Sequence, residues 1–207
     1  MSLKVLVACE ESQVVTNELR KIGIEAYSCD ILETSGDNPN WHFKQDVTSL
    51  LEGTWDMIIA FPPCTYLATT GNRWFDIEKY GEKAIQRHKD REKAVDFFML
   101  FANNNCPKVA IENPVGVMST RWRKPDCIVH PYWFGDAVEK RTCLWLKGLT
   151  PLTPTDMVKP QEKRRFKSGK VMSVWYDDTW DLPVKERARA RSKTFPGLAK
   201  AMSQQWF

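Results

Sequence analysis

The sequence predicts an α/β protein built on a mostly parallel sheet with helices on both faces. Three observations carry this prediction. Short apolar runs of strand length recur along the chain, at Leu3 to Cys9, Ile24 to Cys29, Trp55 to Ala60 and Lys108 to Ile111. Segments with apolar residues at helical spacing separate some of them. The runs are closed by glycine, proline or acidic residues, as expected where strands give way to crossover connections.

Leu3 to Cys9 is the first strand, and Ser12 to Ile22 then carries Val14, Val15, Leu19 and Ile22 at helical spacing before Gly23 stops it. Ile24 to Cys29 is the next strand, ending at Asp30. A polar loop with Gly36, Asn38 and Pro39 precedes a short segment ending at Asp46, and Trp55 to Ala60 follows. Ile77 to Asn103 alternates charges and then turns apolar from Ala94 to Phe101, which predicts one long helix that packs only its second half. Lys108 to Ile111 is a further strand, with Ile128 to Phe134 and Arg141 to Leu146 as a closing pair. From Leu149 the prolines 151, 154 and 160 and a basic run predict a short loop-rich insertion, about 149–183, before a final helical segment.

A chain of 207 residues suits a single domain, 1–207. With 43% hydrophobic and 27% charged residues it has the composition of a soluble globular protein. No run resembles a membrane span or a cleavable leader, so a cytoplasmic protein without membrane partners is expected. The six cysteines form no CxxC pair and no histidine stands at ligand spacing, which predicts reduced thiols and no metal. His42, His88 and His130 are dispersed and read as surface or packing residues. Net charge is only +4, but Lys159 to Lys170 and Lys185 to Lys193 are basic, with Phe166, Trp175, Tyr176 and Trp180 nearby. That pattern suits either polyanion contact or a solvated charged face.

The most informative stretch is Trp55 to Cys64, an apolar run that ends in Phe61-Pro62-Pro63-Cys64. Two prolines cannot continue a parallel strand, because each lacks a donor and fixes φ. Cys64 is thereby presented on a rigid loop at a strand's carboxyl end, where open α/β sheets hold their ligand crevice. At the end of another strand Ile111 leads into Glu112-Asn113-Pro114, so an acid and an amide are expected to face the same cleft.

In this order the motifs resemble those of the cytosine-C5 DNA methyltransferase family, in a small, divergent form of the sort met in phage and prophage genomes. Phe61-Pro62-Pro63-Cys64 resembles the loop that carries the catalytic cysteine, and Ile111-Glu112-Asn113-Pro114 the motif that contacts the target cytosine. Phe134 to Arg141 lies where the family has Gln-x-Arg-x-Arg, and ARSKTFPGLAKAMSQQW is similar to its closing motifs. The resemblance implies a Rossmann-like S-adenosylmethionine-dependent methyltransferase fold. It implies Cys64 as the nucleophile that adds to C6, Glu112 as the acid at N3 and Arg141 as an anchor for the base carbonyl or a phosphate. It implies S-adenosylmethionine as cofactor, held by Cys9, Glu10, Asp30, Asp46 and Pro62. Pro63, Asn113, Pro114 and Trp74 would touch substrate, with DNA, duplex or single-stranded, or a pyrimidine nucleotide as partner.

The chain also departs from the family. Cys9-Glu10-Glu11-Ser12 stands where the family has a glycine-rich turn, Glu139 and Cys143 replace two residues of Gln-x-Arg-x-Arg, and the recognition segment is short. Three readings follow: an enzyme with relaxed sequence preference or a nonstandard substrate, a catalytically silent relative that binds nucleic acid or nucleotide, or another pyrimidine-modifying enzyme using the same cysteine.

Overall fold

The computed structural model describes residues 3–207. Strand β1 (Lys4–Ala8) passes through a tight turn into helix α1 (Val14–Lys21), followed by β2 (Glu25–Asp30) and β3 (His42–Lys44). β4 (Met57–Ala60), the short α2 (Ile77–Tyr80), the long α3 (Glu82–Ala102) and β5 (Lys108–Pro114) come next. α4 (Met118–Arg121), β6 (Cys127–Val129) and β7 (Thr142–Lys147) complete the sheet. A hairpin of β8 (Lys163–Arg165) and β9 (Val171–Ser173) precedes α5 (Val174–Asp178), α6 (Val184–Ser192) and α7 (Pro196–Gln205).

The sheet has the order β3-β2-β1-β4-β5-β7-β6, parallel except where β7 pairs with β5 and β6. It is a Rossmann-like fold, a mostly parallel sheet with helices on both faces as expected, with the strand order reversing between β1 and β4. The crevice of such a sheet lies beyond the carboxyl ends of the strands at that reversal. On one face, Val5, Val7, Met57, Ile59 and Leu144 pack against α1 and α7 through Val15, Leu19, Leu198 and Met202. On the other, Leu6, Ile58, Val109, Ile111 and Trp145 pack against Phe98 and Phe101 of α3. Strands covered on both faces lose the polar alternation of a half-exposed strand, which is why they appear as continuous apolar runs. Phe98 and Phe101 are fully buried, and each contributes about 2–3 kcal/mol by leaving water.

Three expectations change. The helix predicted over Ile77 to Asn103 is two helices, broken at Gly81, whose φ of 53° lies in the left-handed region that favours glycine. Its charged first half is not idle, since Ala84 and Arg91 are buried there. The insertion after Leu149 is not merely loop, for the β8–β9 hairpin turns at Gly169 (φ 79°) and α5 follows directly. The strand expected over Ile128 to Phe134 is only Cys127–Val129, because Pro131 starts a helical turn. No described helix is long and apolar enough to cross a membrane.

Candidate active site

Two loops flank the reversal point, one after β1 and one after β4. Phe61 N donates to the Ala8 carbonyl at 2.9 Å, which keeps the two strand ends side by side.

After β1 the chain turns without glycine, and Cys9 (φ 60°) and Gln13 (φ 56°) take the left-handed conformation instead. That conformation costs roughly 1–2 kcal/mol per non-glycine residue, so something must hold it. Glu10 does so. Its side chain is 3% exposed and turns inward onto the start of α1: Oε1 accepts from Val15 N at 2.6 Å, and Oε2 from Thr16 N at 3.2 Å and Thr16 Oγ1 at 2.7 Å. A carboxylate thus fills the anion site of this helix N-terminus. Burial still pushes Glu10 up to about 7, the three donors opposing it. Glu10 was expected to face a ligand, and the structure instead commits it to α1. Glu11 accepts from Ser35 N at 3.0 Å and pairs with Arg189 of α6 at 3.0 Å, which ties the basic helix across this end of the sheet.

The other residues expected around the cofactor gather here. Cys9 is held well above the ordinary thiol range by burial, then by Asp30, Cys29 and Asp46, so these groups lie within electrostatic reach of one another. Asp30 is half-buried at the end of β2, accepts from Leu32 N at 2.9 Å, and is raised by burial. Beside it Ile31 (71% exposed) and Leu32 (53%) present apolar surface that the sequence reading missed. Asp46 caps the turn over Val47–Leu50, accepting from Thr48 N at 2.8 Å, and is lowered by the Thr48 hydroxyl and amide.

After β4 the arrangement is open. Pro62 is buried, while Pro63 and Cys64 are exposed. Asn113, 1% exposed, donates from Nδ2 to the Pro62 carbonyl at 2.8 Å, and its Oδ1 has no partner. Asn113 was expected to touch substrate; the structure has it clamp the cysteine loop to β5. Past the loop, Val117 N donates to the Leu67 carbonyl at 2.9 Å, and a Cβ on Gly116 would overlap that carbonyl oxygen. Glycine at 116 is therefore what lets the segment after Cys64 approach the segment after Glu112.

Glu112 is half-buried and lines a cleft with Phe61, Lys140, Thr142, Lys193 and Phe195. Burial raises its carboxyl and Lys140 opposes this. Although Cys64 reaches solvent, the protein around it raises the thiol, Glu112 raises it further, and Lys140 lowers it. Cys64, Glu112 and Lys140 therefore form one electrostatic set.

Arg141 lies differently. It is exposed, and its charge acts on His130 and Cys143 rather than on Glu112 or Cys64. Lys140, not singled out from the sequence, is the cation that acts on both Cys64 and Glu112. The signal was present in strand alternation: Thr142 pairs with Pro114, two residues past Glu112, so even-numbered positions of this stretch share the face of Glu112. Pro114 is half-buried within that pair. Trp74 is 44% exposed and stacks with Tyr80 (ring centroids 5.1 Å) and Arg73 (4.7 Å) rather than lining the cleft.

No family model matches the chain. None of the curated proteins matches it either. Among solved structures 59 chains match, and one is the S. pombe Dnmt2 methyltransferase. The likeness has 12% sequence identity and a TM-score of 0.42, over 73% of this chain and 51% of that one. This chain thus spans about half the length of that neighbour.

The residues at the reversal point fit S-adenosylmethionine better than a dinucleotide. Glu10 already occupies the helix N-terminus that would cradle a pyrophosphate, taking the Val15 and Thr16 amides that a phosphate would need. Asp30 next to exposed Ile31 offers an acceptor for sugar hydroxyls beside apolar surface for a base, neither of which requires a phosphate.

Proposed function

We propose that this chain transfers a methyl group to C5 of cytosine, with DNA as the acceptor and S-adenosylmethionine as the donor. The observation that carries the proposal is an exposed cysteine on a Pro-Pro turn, clamped through Asn113 to the strand whose Glu112 is kept towards its acid form beside Lys140. Asp30 and Ile31 would hold the cofactor, which when bound supplies an electrophilic methyl group.

The chain's own residues supply the rest. The Cys64 thiolate forms a bond to C6 while Glu112 gives its proton, or a hydrogen bond, to N3, so the electron pair of the C5–C6 double bond becomes available at C5. Lys140 stabilises both the thiolate and the carboxylate left when Glu112 gives up its proton. After C5 is methylated, water takes the proton from C5, the electron pair of that C–H bond re-forms the C5–C6 double bond and expels the thiolate from C6, and N3 returns its proton to the Glu112 carboxylate. A base inside a duplex must leave the stack to reach the cleft. The short hairpin carries Arg165, Lys167 and Lys170 in exposed positions, which suits contact with a phosphate backbone more than an extended reading of base edges.

Thermal stabilisation by S-adenosylmethionine and by its demethylated product, with mass analysis of treated DNA, tests the reading. The enzyme is stabilised by both and adds one methyl mass to cytosine. No stabilisation and no added mass would favour the silent relative, and a different added mass another pyrimidine modification.

A further inference from the structure

The charged first half of α3 has work that the proposed chemistry does not explain. Three of its side chains, the adjacent Arg87 and His88 and, about one turn on, Arg91, bond to the chain beyond Cys64. Arg87 Nη2 donates to the Thr65 carbonyl at 3.1 Å, and its guanidinium lies over the rings of Tyr66 (4.9 Å) and Phe75 (5.0 Å). His88 Nε2 meets the Phe75 carbonyl at 3.0 Å. Arg91 does most: Nε donates to the Tyr66 carbonyl at 2.8 Å, Nη2 to Asn72 Oδ1 at 2.8 Å, and the guanidinium sits 3.3 Å from the centre of Phe75.

Arg91 is only 9% exposed, and the partners in contact with it are a carbonyl, an amide and a ring rather than a carboxylate. Burying a cation without a counter-charge is costly, and the fold bears that cost at the segment carrying the cysteine. A planar fork can meet Tyr66 and Asn72 at once and still stack on Phe75, whereas a lysine can act only as a point charge. The Tyr66 carbonyl lies two residues past Cys64, and Cys64 O in turn accepts from Leu67 N at 3.0 Å and Ala68 N at 2.9 Å. Tyr66 and Cys64 thus belong to one hydrogen-bonded turn.

We infer that Arg91, supported by Arg87, is a positioning residue that fixes the segment 65–75 against α3 and so sets the location and solvation of the Cys64 thiol. The inference rests on the proposed role of Cys64, but its test does not require methyl transfer.

The test is the rate of Cys64 alkylation by iodoacetamide in the full chain across pH, followed on the Cys64 peptide by mass. Arg91→Gln, Arg91→Lys and Asn72→Ala are compared with Arg121→Gln, which breaks the surface pair with Glu92 and leaves every hydrogen bond of Arg91 in place. Release of the segment moves the thiol away from the surrounding protein and Glu112 that raise it, so alkylation at neutral pH quickens about fivefold or more in Arg91→Gln and its pH midpoint falls. Arg91→Lys falls between, and Arg121→Gln matches the parent chain. Transfer, where measured, shows the opposite sign: kcat drops roughly a hundredfold, as small misplacements of reacting groups do, with KM little changed. A merely stabilising arginine would lower the denaturation midpoint without this divergence. If Arg91→Gln does not fold, Asn72→Ala, whose site is exposed, must show the same direction of change. Alkylation within twofold of the parent in the folded variants overturns the inference even if transfer is found. Altered alkylation with no transfer by the parent overturns the proposed function and leaves the positioning role standing.

Discussion

The loops after β1 and β4 stand side by side at the same sheet reversal, yet one is closed by its own side chains and the other is left open. After β1, Glu10 fills the helix N-terminus and Glu11 is paired with Arg189. After β4, the backbone is clamped by Asn113 and Arg91 while the thiol of Cys64 reaches solvent. Side chains already satisfied by α1 and α6 leave the first loop to shape a binding site, whereas Cys64, exposed beside Glu112 and Lys140, is left open to meet a substrate in the proposed reaction.

The largest effects are expected on the open loop, at Cys64 and Glu112. Cys64→Ala should lower transfer by more than about a thousandfold, since removing a nucleophile leaves only binding and positioning. Glu112→Gln should cost about a hundredfold, the range of a general acid, in single-turnover assays with the cofactor bound. If both loops served only as scaffold, neither change would exceed the effect of a surface control.

Lys140→Gln sharpens the open side. Lys140 lowers both the Cys64 thiol and the Glu112 carboxyl, so removing the cation raises both. The thiolate then forms at higher pH and Glu112 keeps its proton to higher pH, and the whole profile of kcat/KM against pH moves in the alkaline direction. An unmoved profile would show that Lys140 does not govern the pair.

On the closed side the effects fall on stability. The folded chain raises Glu10 to about 7 from its ordinary 4.5, so the folded state prefers the protonated acid. Glu10 therefore contributes stability in full below pH 4.5 that is lost as pH rises through about 7, about 3 kcal/mol across that window. Urea denaturation at pH 5 and pH 8 should show this slope in the parent chain and lose it in Glu10→Gln. Equal slopes would mean that the carboxylate titrates as an ordinary one. Cys9→Gly has the smallest expected effect, because relief of the left-handed backbone is offset by the greater freedom of glycine when unfolded, leaving a change within about 1 kcal/mol.

Much of the fold was legible because buried parallel strands leave continuous apolar runs, and Pro62-Pro63 marks a strand end wherever it occurs. The cysteine loop and Glu112 were legible for the same reason: both stand at the ends of such runs. What escaped was direction. Glu10 could point out to a ligand or in to α1, and only the reach from position 10 to the amides of 15 and 16 decides it. Lys140 and Arg141 are adjacent cations, separated only by which face of the sheet each serves. The charges of α3 resemble a solvated helix face, because their partners are backbone carbonyls of the segment 65–75, which leave no trace in the side-chain pattern. The β8–β9 hairpin was hidden by charge, since Lys163–Arg165 has no apolar alternation to announce a strand.

Whether the open loop carries methyl transfer to cytosine is decided by following tritiated methyl from S-adenosylmethionine. Duplex DNA, single-stranded DNA and deoxycytidine nucleotides serve as acceptors, with Cys64→Ala as the control. Label retained on at least one acceptor by the parent chain and absent with Cys64→Ala is the predicted result. No label on any acceptor, or label that persists in Cys64→Ala, would contradict it.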